Sequence, residues 1–337
     1  MLPVLRSALA SLVFACCVSA SALADPLLTD FPYPYPVQNY AFRSQAQPLS
    51  MAYMDVQPTQ PNGRTIVLLH GKNFCGATWE DTIRPLRDAG YRVVVPDQVG
   101  FCRSTKPQAY QFSLHQLAAN TRALLASLGV ERPIIMGHSM GGMLAMRYVI
   151  NFPGQTSGLV LVNPIGLEDW KAKGVPFATI DDLYEREQKT SFESVKQYQQ
   201  STYYAGEWKP EYDRWVNMLV GMYKGAGGKL VAWDQALTSD MIFSQPVVYE
   251  LEQISVPTLL LIGLKDTTAI GKDRAPPEIA KTLGNYADLA WDAQQRIKNA
   301  TLVSFAELGH APHLQDAEAF NKSLIEQLAQ LQLAQLQ

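Results

Sequence analysis

Apolar residues in this chain follow two alternating rhythms. Short continuous apolar runs read as strands, the first two of them as strands buried in the sheet. They are "RTIVLLHG" (Arg64 to Gly71), "YRVVVPD" from Tyr91, "PIIMGH" from Pro133, "GLVLVNP" from Gly158, "VPTLLLIG" from Val256 and "ATLVSF" from Ala300. Between them lie stretches with helical spacing. Thr78 to Gly90 is one, kinked at Pro85 and stopped by glycine; "SLHQLAANTRALLASLG" is the next, opened by a Ser113 cap. "MGGMLAMRYVINFP" follows from Met140, and "LQDAEAFNKSLIEQLAQLQLAQL" closes the chain. A weaker strand is expected over Leu49 to Val56. Such alternation predicts an α/β protein with a mostly parallel, doubly wound sheet. Right-handed crossovers would bring the C-terminal ends of the parallel strands to one side, where open α/β sheets bind ligands.

Two segments break the rhythm. "DPLLTDFPYPYPVQNYAF" (Asp25 to Phe42) alternates proline with aromatics and reads as an extended surface arm over 25–48. Residues 165–250 are helical in pattern and rich in aromatics, among them Trp170, Tyr203, Tyr204, Trp215 and Trp233, with a glycine hinge at Gly225 to Gly228. This stretch reads as a helical cap inserted into a core formed by 49–164 and 251–337. No internal repeat is evident, and "LAQLQLAQLQ" is too short for a coiled coil.

Residues 1–24 carry Arg6, an apolar stretch and Ala22-Leu23-Ala24 before Asp25, the pattern of a cleaved export signal. No stretch approaches a membrane span. The chain is therefore expected in the periplasm or outside the cell. Cutting after Ala24 leaves about 313 residues, enough for one large domain with an insertion. A net charge of −3, without a basic patch or charge block, argues against nucleic acid and other polyanions. Oligomeric state is not legible. Cys16 and Cys17 would leave with the signal; Cys75 and Cys102 stay and can pair in an oxidising compartment.

"IIMGHSMGGM" (Ile134 to Met143) crowds glycines around Ser139 at the junction of a strand and a helix. Gly137-x-Ser139-x-Gly141 is a G-x-S-x-G match in the strand-turn-helix setting that the motif requires. A serine hydroxyl needs a base, and the base an orienting group. Of five histidines, His115 falls inside a helix, His138 points away at such a turn and His70 shapes the loop after a strand. "ELGHAPHL" then supplies His310 as base, with His313 behind it. Zinc at this H-x-x-H lacks further ligands, so no metal and no cofactor are expected. Asp266 in "LLLIGLKDTTAIG" is the expected acid, with Asp273 the alternative; the strand end at Asn163 offers no carboxylate. Backbone amides of Met140 and Lys72 would hold a developing oxyanion.

Taken together, "HG" at His70-Gly71, "GHSMGG" at Gly137 to Gly142, "GLKD" ending at Asp266 and "GHAPH" from Gly309 resemble the α/β-hydrolase superfamily from about Arg64 to the C-terminus. "HGKNF…W" and "PDQVGF" are similar to its capped, epoxide-hydrolase-like branch. Serine at the elbow argues against the members that use aspartate there. The resemblance implies hydrolysis of an ester, thioester, amide or lactone of a small acyl compound by Ser139, His310 and Asp266. One departure is "GFCRS", where Cys102 stands in place of an expected glycine. The family's fold would put its loop beside the loop of Cys75, which implies a disulfide. Aminopeptidase chemistry, with Glu168, Asp169 or Glu207 holding a free amine, is an alternative. So are lactone hydrolysis, perhydrolase or haloperoxidase activity, and a non-catalytic binding protein on the same fold.

Overall fold

The structure, a computed structural model, describes residues 27–334. The expected leader and its cleavage site lie outside these residues. The first strands, β1 (Val37–Ser44) and β2 (Gln47–Val56), form an antiparallel hairpin at one sheet edge. Six more follow: β3 (Thr65–Leu69), β4 (Arg92–Pro96), β5 (Ile134–His138), β6 (Gly158–Val162), β7 (Thr258–Gly263) and β8 (Ala300–Phe305). They complete a sheet of order β1-β2-β4-β3-β5-β6-β7-β8. β2 runs antiparallel to β4, and every later pairing is parallel.

Side chains of the central strands alternate between two cores, as a period of two requires. Ile66, Leu68, Val93, Val95, Met136, Val160 and Leu259 face one side, where Ile83 and Leu86 of α1 (Glu80–Asp88) pack. Phe320 and Leu324 of the closing helix share that side. Val67, Leu69, Val94, Ile135, Leu161 and Leu260 face the other, under α2 (Leu114–Ser127) and α3 (Met140–Asn151). Ser113 caps α2 as expected, its side chain accepting from the Gln116 N–H at 3.0 Å.

Between β6 and β7 the chain forms α4 (Ile180–Glu187), α5 (Phe192–Tyr198), α6 (Asp213–Tyr223) and α7 (Gly228–Ser244). A π-helical turn, Gln199–Tyr203, continues α5. The Gly225–Gly228 stretch makes the tight α6–α7 turn, where a Cβ at Gly228 would lie 1.9 Å from the Tyr223 carbonyl. After β7 come α8 (Pro277–Ala280) and α9 (Tyr286–Arg296), and after β8 come α10 (Pro312–Gln315) and α11 (Ala317–Ala334).

One segment differs from its sequence reading. The second half of the stretch read as an arm is strand β1, paired along its whole length with β2. Its half-buried residues Tyr40 and Phe42 pack against the core and stack at 5.3 Å, and such same-face pairs stabilise an edge strand that the prolines before it obscure in the sequence.

Candidate active site

The C-terminal ends of the parallel strands converge, as the topology requires. Ser139 follows β5 at φ 56° and ψ −120°, a left-handed conformation costly for a residue with a side chain. The turn closes because its flanks are glycines. A Cβ at Gly137 would sit 2.0 Å from the Gly141 carbonyl oxygen, and one at Gly141 would sit 2.2 Å from that of Leu69. Gly71 packs against the serine itself, since a Cβ there would be 3.0 Å from the Ser139 Cβ. The elbow leaves Ser139 only 5% exposed. As the first residue of α3, Met140 has an N–H without an intrahelical acceptor.

His310 and Asp266 are fully buried and joined, His310 Nδ1 lying 2.6 Å from Asp266 Oδ2. The carboxylate is further held by the Thr268 N–H at 2.8 Å and Asn163 Nδ2 at 2.9 Å. Asn163 follows β6 at φ 37° and also bonds both polar groups of the Gly263 backbone. Because Nδ1 faces a carboxylate it carries a proton, so Nε2 of neutral His310 is the basic nitrogen. That Nε2 is buried with no protein hydrogen-bond partner.

The neighbouring histidines are structural. His138 donates from Nε2 to the His310 carbonyl at 2.8 Å, tying the residue before the serine to the histidine loop. Their rings lie 4.8 Å apart, which places the His310 imidazole beside the elbow. Burial lowers the pKa of His138 well below that of an ordinary histidine, so it stays neutral. The His313 ring packs tilted against Trp79 at 4.5 Å, and burial lowers its pKa to about 3. His70 accepts from the Gln98 N–H at 3.0 Å through Nε2 and therefore donates from Nδ1 to the Gly71 carbonyl. The bond from Gln98 ties the loop after β3 to the loop after β4. A disulfide between Cys75 and Cys102 joins the same two loops, with 5.8 Å between the Cα atoms. Asp97 adds a third tie, accepting from the Gly76 and Arg103 amides and the Tyr33 hydroxyl.

The Lys72 side chain is engaged by Glu187 of α4, with Nζ 2.6 Å from Oε1. Lys72 and Asn73 form one wall of a cavity of about 620 Å³ between α4, α5, α6 and the 267–274 loop. Tyr203 links that cavity wall to the site. Its ring lies 4.8 Å from His310, and its hydroxyl accepts from Asn73 Nδ2 at 2.9 Å. Gly309 has no Cβ because one would lie 2.6 Å from the Tyr203 carbonyl. Asp273 is on the far side of this arrangement, exposed and paired with Arg186 at 2.7 Å.

Sequence reasoning missed Asn163, Asn73 and Tyr203. Asn163 was visible as a polar residue closing a buried strand; Asn73 and Tyr203 are 130 positions apart, and no local pattern joins them. The acidic residues considered for holding an amine do not line the cavity. Glu168 is buried and accepts from the Trp170 indole and the Gly284 N–H, Asp169 bonds Tyr249, and Glu207 is exposed.

A parallel sheet with a strained serine turn and a buried histidine–aspartate pair at its ligand-binding end defines an α/β hydrolase. The sequence pattern of the alpha/beta hydrolase fold matches residues 64–317, and the chain belongs to that family. It is 62% identical to a probable hydrolytic enzyme from Pseudomonas aeruginosa PAO1, with a TM-score of 0.89 over 90% of this chain and 97% of that one. A 2-hydroxy-6-oxo-6-phenylhexa-2,4-dienoate hydrolase from Comamonas testosteroni is 27% identical over 289 residues, covering 80% of this chain and 88% of the relative. An esterase from Exiguobacterium antarcticum shares the fold at 21% identity and TM-score 0.66, over 87% of this chain and all of that one.

Proposed function

We propose that this hydrolase uses Ser139 as a nucleophile on a small acyl compound, an ester in the first instance. The observation that carries the reading is the strained Ser139 turn beside a buried His310 whose Nδ1 is fixed by Asp266 and whose Nε2 is unmatched. Ser139 Oγ attacks the acyl carbonyl while His310 Nε2 takes its proton. Asp266 holds the imidazole and stabilises the imidazolium. The amides of Met140 and Lys72 receive the developing oxyanion, which the positive end of α3 also favours. His310 returns the proton to the leaving alkoxide, and a water activated by the same nitrogen hydrolyses the acyl-enzyme.

The helices of 165–250 act as a cap, and their aromatic residues keep the reacting centre dry. The Cys75–Cys102 disulfide and the leader pattern of 1–24 together support an exported protein. Among the described residues, no helix is long and apolar enough to cross a membrane. Aminopeptidase chemistry has less support, because both carboxylates of the cavity are engaged: Glu187 by Lys72 and Tyr223, Asp273 by Arg186.

The test is intact-mass and peptide-mass analysis of protein acid-quenched during turnover of p-nitrophenyl butyrate. A butyryl adduct on the Ser139 peptide is expected. Turnover with no adduct there, and unchanged rate in Ser139→Ala, would refute the assignment. The panel extends to simple lactones and to the oxo-dienoate that names the Comamonas relative.

A further inference from the structure

The cavity walled by Lys72 and Asn73, which Tyr203 links to His310, carries unbalanced charge. Its walls present four cations, Lys72, Arg186, Lys272 and Arg274, against two carboxylates, Glu187 and Asp273. Lys72 is matched by Glu187 and Arg186 by Asp273. Lys272 donates to the carbonyls of Leu283 at 2.9 Å and Thr267 at 3.4 Å. Arg274 differs. Half-buried in the wall, it has no ion pair or side-chain hydrogen bond among the described residues, and its Nε is fully shielded from water with no partner. The acidic groups that act on it are Asp273, held by Arg186, and Asp182, which closes the capping box of α4 with Thr179.

A buried donor without a partner is unfavourable, and the rest of this half-exposed arginine lines the cavity with no carboxylate paired to it among the described residues. Local backbone makes room for the group. Gly271, at φ +81°, lies under the guanidinium, and a Cβ there would come within 2.7 Å of Arg274 Nη2. Much of the remaining lining is apolar, with Leu183, Val195, Leu219 and Ile270 facing the same space. A planar fork of donors is shaped for a carboxylate, which it can hold through two parallel hydrogen bonds.

We propose that the cavity takes a substrate with an apolar body that carries a carboxylate in addition to its scissile acyl group, and that Arg274 binds that carboxylate. The proposal rests on the serine-hydrolase reading for the scissile group, and on the cavity alone for the anion site. It predicts acid monoesters over neutral diesters or simple esters of equal size.

The test is calorimetric titration of the unaltered chain with 4-phenylbutyrate and with 4-phenylbutyramide, which match in shape and differ in charge. The acid is expected to bind at least about tenfold tighter. Arg274→Gln is expected to bring the two within about twofold, while Lys272→Met keeps the preference. Should Arg274→Gln not fold, Arg274→Lys keeps the charge without the fork and is expected to weaken the preference several-fold. Equal binding of acid and amide by the unaltered chain would overturn the proposal. So would a preference that survives the change at Arg274, because the acid would then be held at the backbone donors around Ser139. Fluorophosphonate labelling of the same sample separates the two readings. Acid preference without labelling would sink the serine-hydrolase reading and leave the anion site standing, and labelling without preference would do the reverse.

Discussion

Replacing Asp234 with asparagine is expected to remove a loss of stability between pH 5 and pH 8. Asp234 lies on α7, fully buried, and neither carboxylate oxygen has a hydrogen-bond partner. Burial pushes its carboxyl up to about 8, against the pull of the Lys106 ammonium. In the unfolded chain an aspartate titrates near 4. The folded pKa is raised, so across this window the native state keeps a proton that the unfolded state has released. Stability that is fully present below about pH 4 is therefore lost as pH rises towards 8. The slope is at most about 1.4 kcal/mol per pH unit, on the order of 4 kcal/mol between pH 5 and 8. Asparagine has nearly the same shape and cannot ionise. Urea unfolding of both proteins at each pH unit gives a difference curve in which other titrations cancel. One of these is His313, whose lowered pKa removes stability as pH falls from about 6.5 towards 3. The variant should gain on the unaltered chain steadily from pH 5 to 8. A flat difference curve would refute the reasoning and mean that Lys106 keeps Asp234 ionised in the fold.

Three further outcomes follow from single contacts. Asn163→Leu removes a donor from Asp266, so kcat/KM for p-nitrophenyl butyrate should fall about 10- to 100-fold with the fold intact by circular dichroism; an unchanged value would show that Thr268 suffices. Gly141→Ala would put a Cβ 2.2 Å from a backbone carbonyl of β3, and the expected result is no folded protein, whereas a melting temperature like that of the unaltered chain would contradict the close packing of the elbow. Replacing Cys75 and Cys102 with serine opens a loop with a sequence separation of 27, and urea unfolding should show a loss of about 3–4 kcal/mol, with a loss under 1 kcal/mol counting against the loop's entropic role.

Strands β3 to β7 were legible because each is buried on both faces and so reads as a continuous apolar run, and the edge strand β8 was legible from its apolar composition although it is only half-buried. β1 was not, since an edge strand with one exposed face carries only alternation, and the prolines before it mask the start. α9 also escaped notice. Its buried face is one large residue, Tyr286, followed only by the small Ala290 and Ala293, while Trp291 is exposed and blurs the apolar spacing. The chemistry-bearing loops were readable because glycine, serine, histidine and aspartate stand at strand ends, where an apolar rhythm stops abruptly. What surrounds them was not. Asn163 reaches Asp266 across 103 positions, and Asn73 reaches Tyr203 across 130, so those partners exist only once the sheet and the helices after β6 are assembled. The unmatched state of Arg274 is likewise a property of packing, since in sequence it is one more charge in a polar loop.

The measurement closest to the central claim is labelling by a fluorophosphonate probe of the unaltered chain, Ser139→Ala and His310→Ala, each first shown to be folded. The account predicts strong labelling of the unaltered chain at Ser139, none in Ser139→Ala and almost none in His310→Ala. A folded, unlabelled parent chain, or labelling that persists without Ser139, would mean that the glycines around it only make a turn.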